Sequence, residues 1–248
     1  MVDPRISIID GRLRGVKDVV VVSSGKGGVG KSLTASILAL TLSRRGYKAG
    51  LLDLDFTSPS THLILGVRGT NLREEKGIIP AEVFGLRYMS IVYYTRDRST
   101  SLRGEDLSNI LIELLAVTVW GELDFLILDM PPGIGDTTLD IIKYINRSRF
   151  LLVATPSILA FSTVHKLVDL LKSQNISIIG ILENMGRGDA ALAKHVEDIG
   201  VKYLGTIPFD DQVEGSMGNV DRLCDTEFAS SIEKLALPSI LSTMSKEL

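Results

Sequence analysis

Four valines, Val19-Val20-Val21-Val22, run straight into Gly25-Lys26-Gly27-Gly28-Val29-Gly30-Lys31-Ser32. A β-branched apolar run of this kind reads as a strand buried on both faces. The glycine-rich stretch fits G-x-x-x-x-G-K-[ST], and the apolar positions Leu33, Ile37 and Leu40 then follow one face of a helix. Strand, loop and helix in that order make a phosphate-binding loop. Its glycines allow successive N–H groups to face phosphate oxygens, and the helix adds its positive end. The candidate nucleotide contacts are therefore Gly25, Lys26, Gly27, Gly28, Val29, Gly30, Lys31, Ser32 and Leu33. Lys31 supplies charge for the β- and γ-phosphates of ATP or ADP, and the Ser32 hydroxyl suits Mg²⁺.

The rest of the chain repeats the alternation of short apolar runs with helical periods that marks a parallel sheet covered on both faces. Strands are expected at Val19–Ser23, Ala49–Leu54, Phe125–Asp129, Phe150–Ala154, Ile176–Leu182 and Tyr203–Ile207, with strand-like runs at Ile78–Phe84 and Tyr88–Tyr93. Helices are expected at Ser32–Arg45, Asp106–Val119, Leu139–Asn146, Ser162–Gln174, Asp189–Ile199 and Glu227–Met244, the last broken near Pro238. No linker, repeat or low-complexity stretch divides the 248 residues. The expectation is a single domain over 1–248, a three-layer α/β/α nucleotide-binding fold with a mostly parallel central sheet.

Ligands of such sheets gather at the carboxyl ends of the strands, and acidic residues fall there. Asp129 closes Phe125-Leu126-Ile127-Leu128, where an aspartate serves Mg²⁺ opposite Ser32. Asp53 and Asp55 flank Leu54, a spacing that puts both carboxylates on one side of an extended chain, towards the γ-phosphate and its attacking water. Ser32, Asp55 and Asp129 are the candidate Mg²⁺ ligands. The residues alone leave a second reading of Asp53 and Asp55 open, as initiators of the turn before Pro59. Asp136 is expected to cap the helix that starts near Thr137.

Composition narrows the partners. A formal net charge of -3 with both signs mixed leaves no nucleic-acid footprint. No apolar run approaches the length of a membrane span, and the segment Ile232 to Leu248 is interrupted by Pro238 and carries no net positive charge, which argues against membrane docking. The N-terminal residues lack a signal-peptide core, and the single cysteine, Cys224, fits a reducing cytoplasm. Cys224 reads as a buried small residue. His62, His165 and His195 are scattered without metal-ligand spacing.

The lysine just after the first loop glycine, Lys26, cannot easily fold back onto its own nucleotide; it is either a solvated loop residue or a side chain that reaches a second subunit. The K-G-G-x-G-K-S form resembles the deviant loop of the Mrp/MinD/ParA ATPases, and the likeness extends over most of the chain. Leu52-Asp53-Leu54-Asp55-Phe56-Thr57-Ser58-Pro59-Ser60 is similar to that family's first switch segment, with Ser58 in place of a glycine. Asp129-Met130-Pro131-Pro132-Gly133 is similar to its second, Glu183-Asn184-Met185 to the segment whose asparagine reads adenine, and Ile207-Pro208-Phe209-Asp210 to another base-side segment.

The resemblance implies an ATP-linked homodimer in which Lys26 enters the partner's site. It further implies that Lys26, Lys31 and Asp55 are catalytic, with Asp55 orienting the hydrolytic water and Asp53 behind it, and that Asn184, Pro208 and Phe209 lie at the base. One departure matters. Mrp-type carriers have a C-x-x-C shortly after the E-N-M segment, where this chain has Gly186-Arg187-Gly188-Asp189. Two copies of Cys224 do not make a four-thiolate cluster site.

The expected function is therefore a nucleotide-switched ATPase that assists metallocentre assembly. It is read first as a nickel hydrogenase maturation factor of the ATPase-type HypB group, working through a partner metallochaperone or another metalloenzyme-maturation protein. The alternatives are a MinD-like spatial regulator and an Mrp-like iron–sulfur carrier, the latter disfavoured by the missing C-x-x-C.

Overall fold

Parallel pairing around the valine strand organises the chain. The structure, a computed structural model, describes residues 4–69, 72–95, 104–186 and 191–242. Its strands are β1 (Val16–Ser24), β2 (Ala49–Asp53), β3 (Arg73–Glu74), β4 (Ile78–Ile79), β5 (Ala81–Val83), β6 (Leu86–Ser90), β7 (Leu123–Asp129), β8 (Arg149–Ala154), β9 (Ser177–Gly186) and β10 (Tyr203–Pro208). Eight of them form one sheet in the order β10-β9-β8-β1-β7-β2-β6-β5, parallel except for the β5–β6 hairpin at one edge. β3 and β4 make a separate antiparallel pair.

The helices are α1 (Arg5–Leu13), α2 (Lys31–Arg44), α3 (Thr61–Leu65), α4 (Val92–Thr95), α5 (Gly104–Val117), α6 (Asp136–Tyr144), α7 (Ile158–Ser173), α8 (Ala191–Asp198), α9 (Gln212–Ser216), α10 (Val220–Cys224), α11 (Glu227–Leu235) and α12 (Leu237–Leu241). Strand alternation divides the core between two faces. Val19, Val21, Leu126 and Leu128 pack with α1, α5, α6, α7 and α8. Val20, Val22, Phe125 and Ile127 pack with α2, α3, α10, α11 and α12. That is the expected three-layer α/β/α arrangement. Among the described residues no helix is long and apolar enough to cross a membrane.

Several elements depart from the sequence expectation for visible reasons. β1 begins at Val16 rather than Val19, because Val16, Asp18 and Val19 already pair with β7. α1 escaped notice, yet its Ile9 and Leu13 are buried against α5. The run Ile78–Phe84 is two strands broken at Pro80, which has no N–H to give a ladder. Phe84 and Gly85, both at positive φ, then form the two-residue turn into β6 that a right-twisted hairpin requires.

After Ser90 the expected strand turns into α4. Pro238 falls near the start of α12, where a missing N–H costs nothing, so the C-terminal helix divides into α11 and α12. Its expected end at Met244 and the start of the helix expected at Asp189 lie outside the described residues.

α12 is fastened to the sheet by one arginine. Arg149, at the start of β8, is ion-paired with Asp18 of β1 and donates to the Ile240 carbonyl at 3.0 Å. Both side chains are almost fully buried, so removing either strands the other. Arg149→Ala is expected to lower the unfolding free energy by about 3 kcal/mol. Urea denaturation tests this, and a loss under about 1 kcal/mol would show that the pair is dispensable.

Candidate functional site

β1 ends in the middle of the sheet, and the loop Gly25–Gly30 turns there into α2. Gly28 and Gly30 take φ of 74° and 85°, the left-handed region where a side chain is strained. Two neighbours press on the loop so closely that side chains are excluded. A Cβ on Gly25 would lie 2.6 Å from Oγ1 of Thr163 on α7, and one on Gly30 would collide with the amide of Asn184. α2 is buried on nearly all sides, between the sheet and α3, α10 and α11, so its N-terminus is rigidly aimed. Its inward hydroxyls are satisfied on the preceding turn, Thr34 donating to the Gly30 carbonyl and Ser36 to that of Ser32.

Above the loop is a cleft of about 480 Å³ whose walls include Ser24, Lys26, Lys31, Ser32, Asp55 and Pro132. At its floor Lys31 Nζ lies 2.6 Å from Oδ1 of Asp129 and 3.0 Å from the Ser32 hydroxyl. Asp129 is fully buried. Burial pushes its carboxyl above the usual range, and the Lys31 charge opposes that rise. Its Oδ2 has no hydrogen-bond partner among the described residues. A hydroxyl, a carboxylate with a spare oxygen and a second carboxylate nearby form a hard oxygen donor set that fits Mg²⁺.

Asp53 faces Asp129 across the β2–β7 ladder. Burial first, then the Asp129 charge, push its carboxyl up to about 7. It accepts from Asp55 N at 3.0 Å, from Thr61 N at 3.2 Å and from Thr61 Oγ1 at 2.6 Å. Asp55 lines the cleft, and its Oδ1 accepts from Thr57 Oγ1 at 2.8 Å and Ser58 N at 3.1 Å. The turn-forming reading and the cleft-facing reading of this pair thus hold together. The aspartates shape the turn before Pro59, and Asp55 remains in the cleft wall.

The segment after Asp129 is tied to the same loop. Gly133 N donates to the Ser24 carbonyl at 2.8 Å, and Pro132 lies beside Gly27. Asp136 does not cap α6: Gly135 holds the capping position, and Asp136 is the first helical residue, exposed, where its charge suits the helix dipole.

Asn184 is almost fully buried at the β9 end. Its Nδ2 donates to the Val29 carbonyl at 2.9 Å and its Oδ1 accepts from Met185 N at 2.9 Å. The amide therefore braces the phosphate loop, and keeps a second N–H and a second lone pair for a base. Pro208 ends β10 and Phe209 after it is 70% exposed. Lys26 is exposed at the cleft mouth and makes no ion pair among the described residues.

Cys224 is away from the cleft and, contrary to the expectation of a buried residue, only half-buried against the core beneath α2, where partial burial raises its thiol pKa. His165 and His195 both pack on Phe161, and His62 is buried in α3. The segment Arg187–Asp189, which replaces the C-x-x-C, lies outside the described residues. Sequence reasoning missed Thr61, Tyr88 and Thr163, whose roles come from partners distant in sequence, and the Glu183 carboxylate, which accepts from Tyr203 and Thr206 hydroxyls to join β9 to β10.

Comparison with known proteins agrees with this geometry. A family model described as "ParA: NUBPL iron-transfer P-loop NTPase" matches residues 15–243. The iron-sulfur cluster carrier protein of Aquifex aeolicus is 37% identical over 219 residues, covering 82% of this chain and 60% of that protein. The chain therefore spans under two thirds of that relative's length. A cytosolic Fe-S cluster assembly factor NUBP2 homolog of Culex quinquefasciatus is 34% identical over 259 aligned positions, covering 94% and 98%. Among solved structures, a nucleotide-binding protein from Archaeoglobus fulgidus in complex with ADP superposes with a TM-score of 0.75 at 26% identity, covering 89% of this chain and 93% of that one. The Aquifex and Culex relatives bear iron–sulfur names, and the nickel-maturation expectation finds no support in these comparisons. That expectation rested on a shared lack of C-x-x-C, and an absent motif does not specify a metal.

Gly30→Ala is expected to displace Asn184 and strain the loop, weakening ADP binding at least tenfold, about 1.4 kcal/mol. Calorimetric titration with ADP measures this, and unchanged affinity would mean that the loop tolerates a side chain at Gly30.

Proposed function

The chain belongs to the ParA-type family of NUBPL-like iron-transfer P-loop NTPases, and from that premise we propose that it is an ATPase of iron–sulfur protein assembly that carries no four-thiolate cluster of its own. The observation that carries the nucleotide part is that Lys31, Ser32 and Asp55 line one cleft, with Asp129 buried behind it and paired with Lys31. Phosphate oxygens compete with Asp129 for Lys31, and the loop N–H groups and the α2 N-terminus hold the remaining charge. Ser32 and Asp129, with Asp55 beside them, would hold Mg²⁺, which would supply positive charge to offset that of the phosphates. Asp55, fixed by Thr57 and Ser58, orients the attacking water, while Asn184, Pro208 and Phe209 flank the base. Lys26, free at the cleft mouth, reaches the nucleotide of a second subunit. Its hold depends on the γ-phosphate, so hydrolysis loosens the pair of chains.

The names of the relatives favour iron–sulfur cargo over nickel. The cysteine content sets a limit on it: one Cys224 per 248 residues leaves even a pair of chains two thiolates short of a Cys₄ site. The cargo cluster is therefore held mainly by thiolates of a partner, and this chain contributes the nucleotide-driven change of shape. The assembly-factor names support a cytosolic setting, which suits the free thiol.

Lys31→Ala is expected to weaken nucleotide binding by about 1.5–3 kcal/mol, the size of a charge-assisted phosphate contact. Asp55→Asn is expected to bind ATP and lose turnover, because water positioning acts in the transition state. A D55N protein that hydrolyses ATP at the wild-type rate would remove Asp55 from the mechanism. Lys26→Ala should bind ATP as a monomer and lose the nucleotide-dependent change in mass seen by light scattering.

Anaerobic reconstitution with iron and sulfide separates the two iron–sulfur roles. The chain alone is expected to stay featureless in the visible spectrum. Stoichiometric, Cys224-dependent cluster absorbance would make it a carrier and overturn the proposal.

A further inference from the structure

We infer that Thr61 is a positioning residue for Asp55, acting through the carboxylate of Asp53; the inference rests on the water-orienting role proposed above. Asp55 is carried by the connection from β2 to α3, and a single carboxylate closes that connection at both ends. Asp53 accepts the N–H of Asp55 on one oxygen and both the N–H and the hydroxyl of Thr61 on the other. α3 has no side-chain cap at Ser60, so Asp53 also serves the first orphan N–H of that helix.

The N–H of Thr61 alone would satisfy that need. The hydroxyl is additional, and its bond to Asp53, at 2.6 Å, is the shortest of the three. It is fixed from its other side as well, since Thr61 Oγ1 lies 2.8 Å from the hydroxyl of Tyr88. With Asp53 as the acceptor, Thr61 donates to it and accepts from Tyr88. Tyr88 belongs to β6, the strand paired with β2, and its fully buried ring packs edge-on against Tyr93 at 5.9 Å. The start of α3 is thereby pinned to the sheet through a stiff, β-branched side chain.

Asp55 inherits its direction from this clamp. Among the described residues its own carboxylate is hydrogen-bonded by Thr57 and Ser58, inside the segment whose ends Asp53 holds. Asp53, Thr61 and Tyr88 are not among the residues that line the cleft. Loosening them therefore leaves the phosphate and base contacts in place and displaces the water-orienting group, a small error to which turnover is sensitive and binding is not.

The experiment compares Thr61→Val, Thr61→Ser, Tyr88→Phe and Asp55→Asn for Mg²⁺-dependent phosphate release from ATP and for ADP affinity. Thr61→Val keeps the shape and removes the hydroxyl. Its kcat is expected to fall about tenfold while ADP affinity stays within about twofold, and Thr61→Ser is expected to recover most of the rate. Tyr88→Phe, which retains the ring, is expected to lower kcat about threefold with the same unchanged affinity.

A Thr61→Val protein at the wild-type rate beside an inactive Asp55→Asn overturns the inference. An Asp55→Asn protein at the wild-type rate sinks the role of Asp55 instead. If Thr61→Val loses turnover, ADP affinity and thermal midpoint together, and Thr61→Ser restores none of them, Thr61 is only structural and the inference fails. Should Thr61→Val not fold, Tyr88→Phe decides: a lowered kcat at constant ADP affinity supports the clamp, and an unchanged kcat refutes it.

Discussion

Lys31 and Asp129 are buried against each other where β1 and β7 end, and the cleft is organised around that pair. Neither charge has enough water to solvate it, so each depends on the other. Lys31 is thereby held at the start of α2, and Asp129 keeps one oxygen without a hydrogen-bond partner among the described residues. The parallel register that aligns Val22 with Asp129, and Asp53 with the same Asp129, makes this possible, because it gathers three strand ends at one height.

The mobile chemistry of such a site needs loops, and loops need tethers. Here the tethers are one carboxylate, one buried side-chain amide and one backbone N–H. Asp53 gathers both ends of the segment that carries Asp55, Asn184 braces the phosphate loop at Val29, and the Gly133 N–H hooks the segment after Asp129 to the end of β1. The Asn184 and Gly133 tethers join residues far apart in sequence, and the Asp53 tether closes a short segment on itself, all at bond lengths near 3 Å. The segments that carry Asp55 and Pro132 are thereby held in the walls of the cleft.

Cargo chemistry stands apart from nucleotide chemistry in this chain. The family relationship brings iron–sulfur assembly into view, whereas the thiol count restricts what these residues hold themselves. Cys224 is packed beside α2 with its ionisation suppressed by burial, a poor position for a metal ligand. An ATPase that drives assembly on thiolates supplied by another protein reconciles the two.

The sequence by itself determined the layered parallel fold, the phosphate loop and the acidic strand ends. Those depend on local periodicity, on glycine's conformational freedom and on where an apolar run stops, all of which are written along the chain. It also held the cysteine arithmetic that limits cluster binding. Only the tertiary structure decided that Lys31 is paired with Asp129, that Asn184 supports the loop, and that the Thr61 hydroxyl stands between Asp53 and Tyr88. The physical reason is that a hydrogen bond between strands distant in the chain depends on which strands become neighbours, and no local pattern records that order. α1 and the break at Pro80 follow the same rule: α1 is held by burial against α5, and β4 and β5 by separate partners.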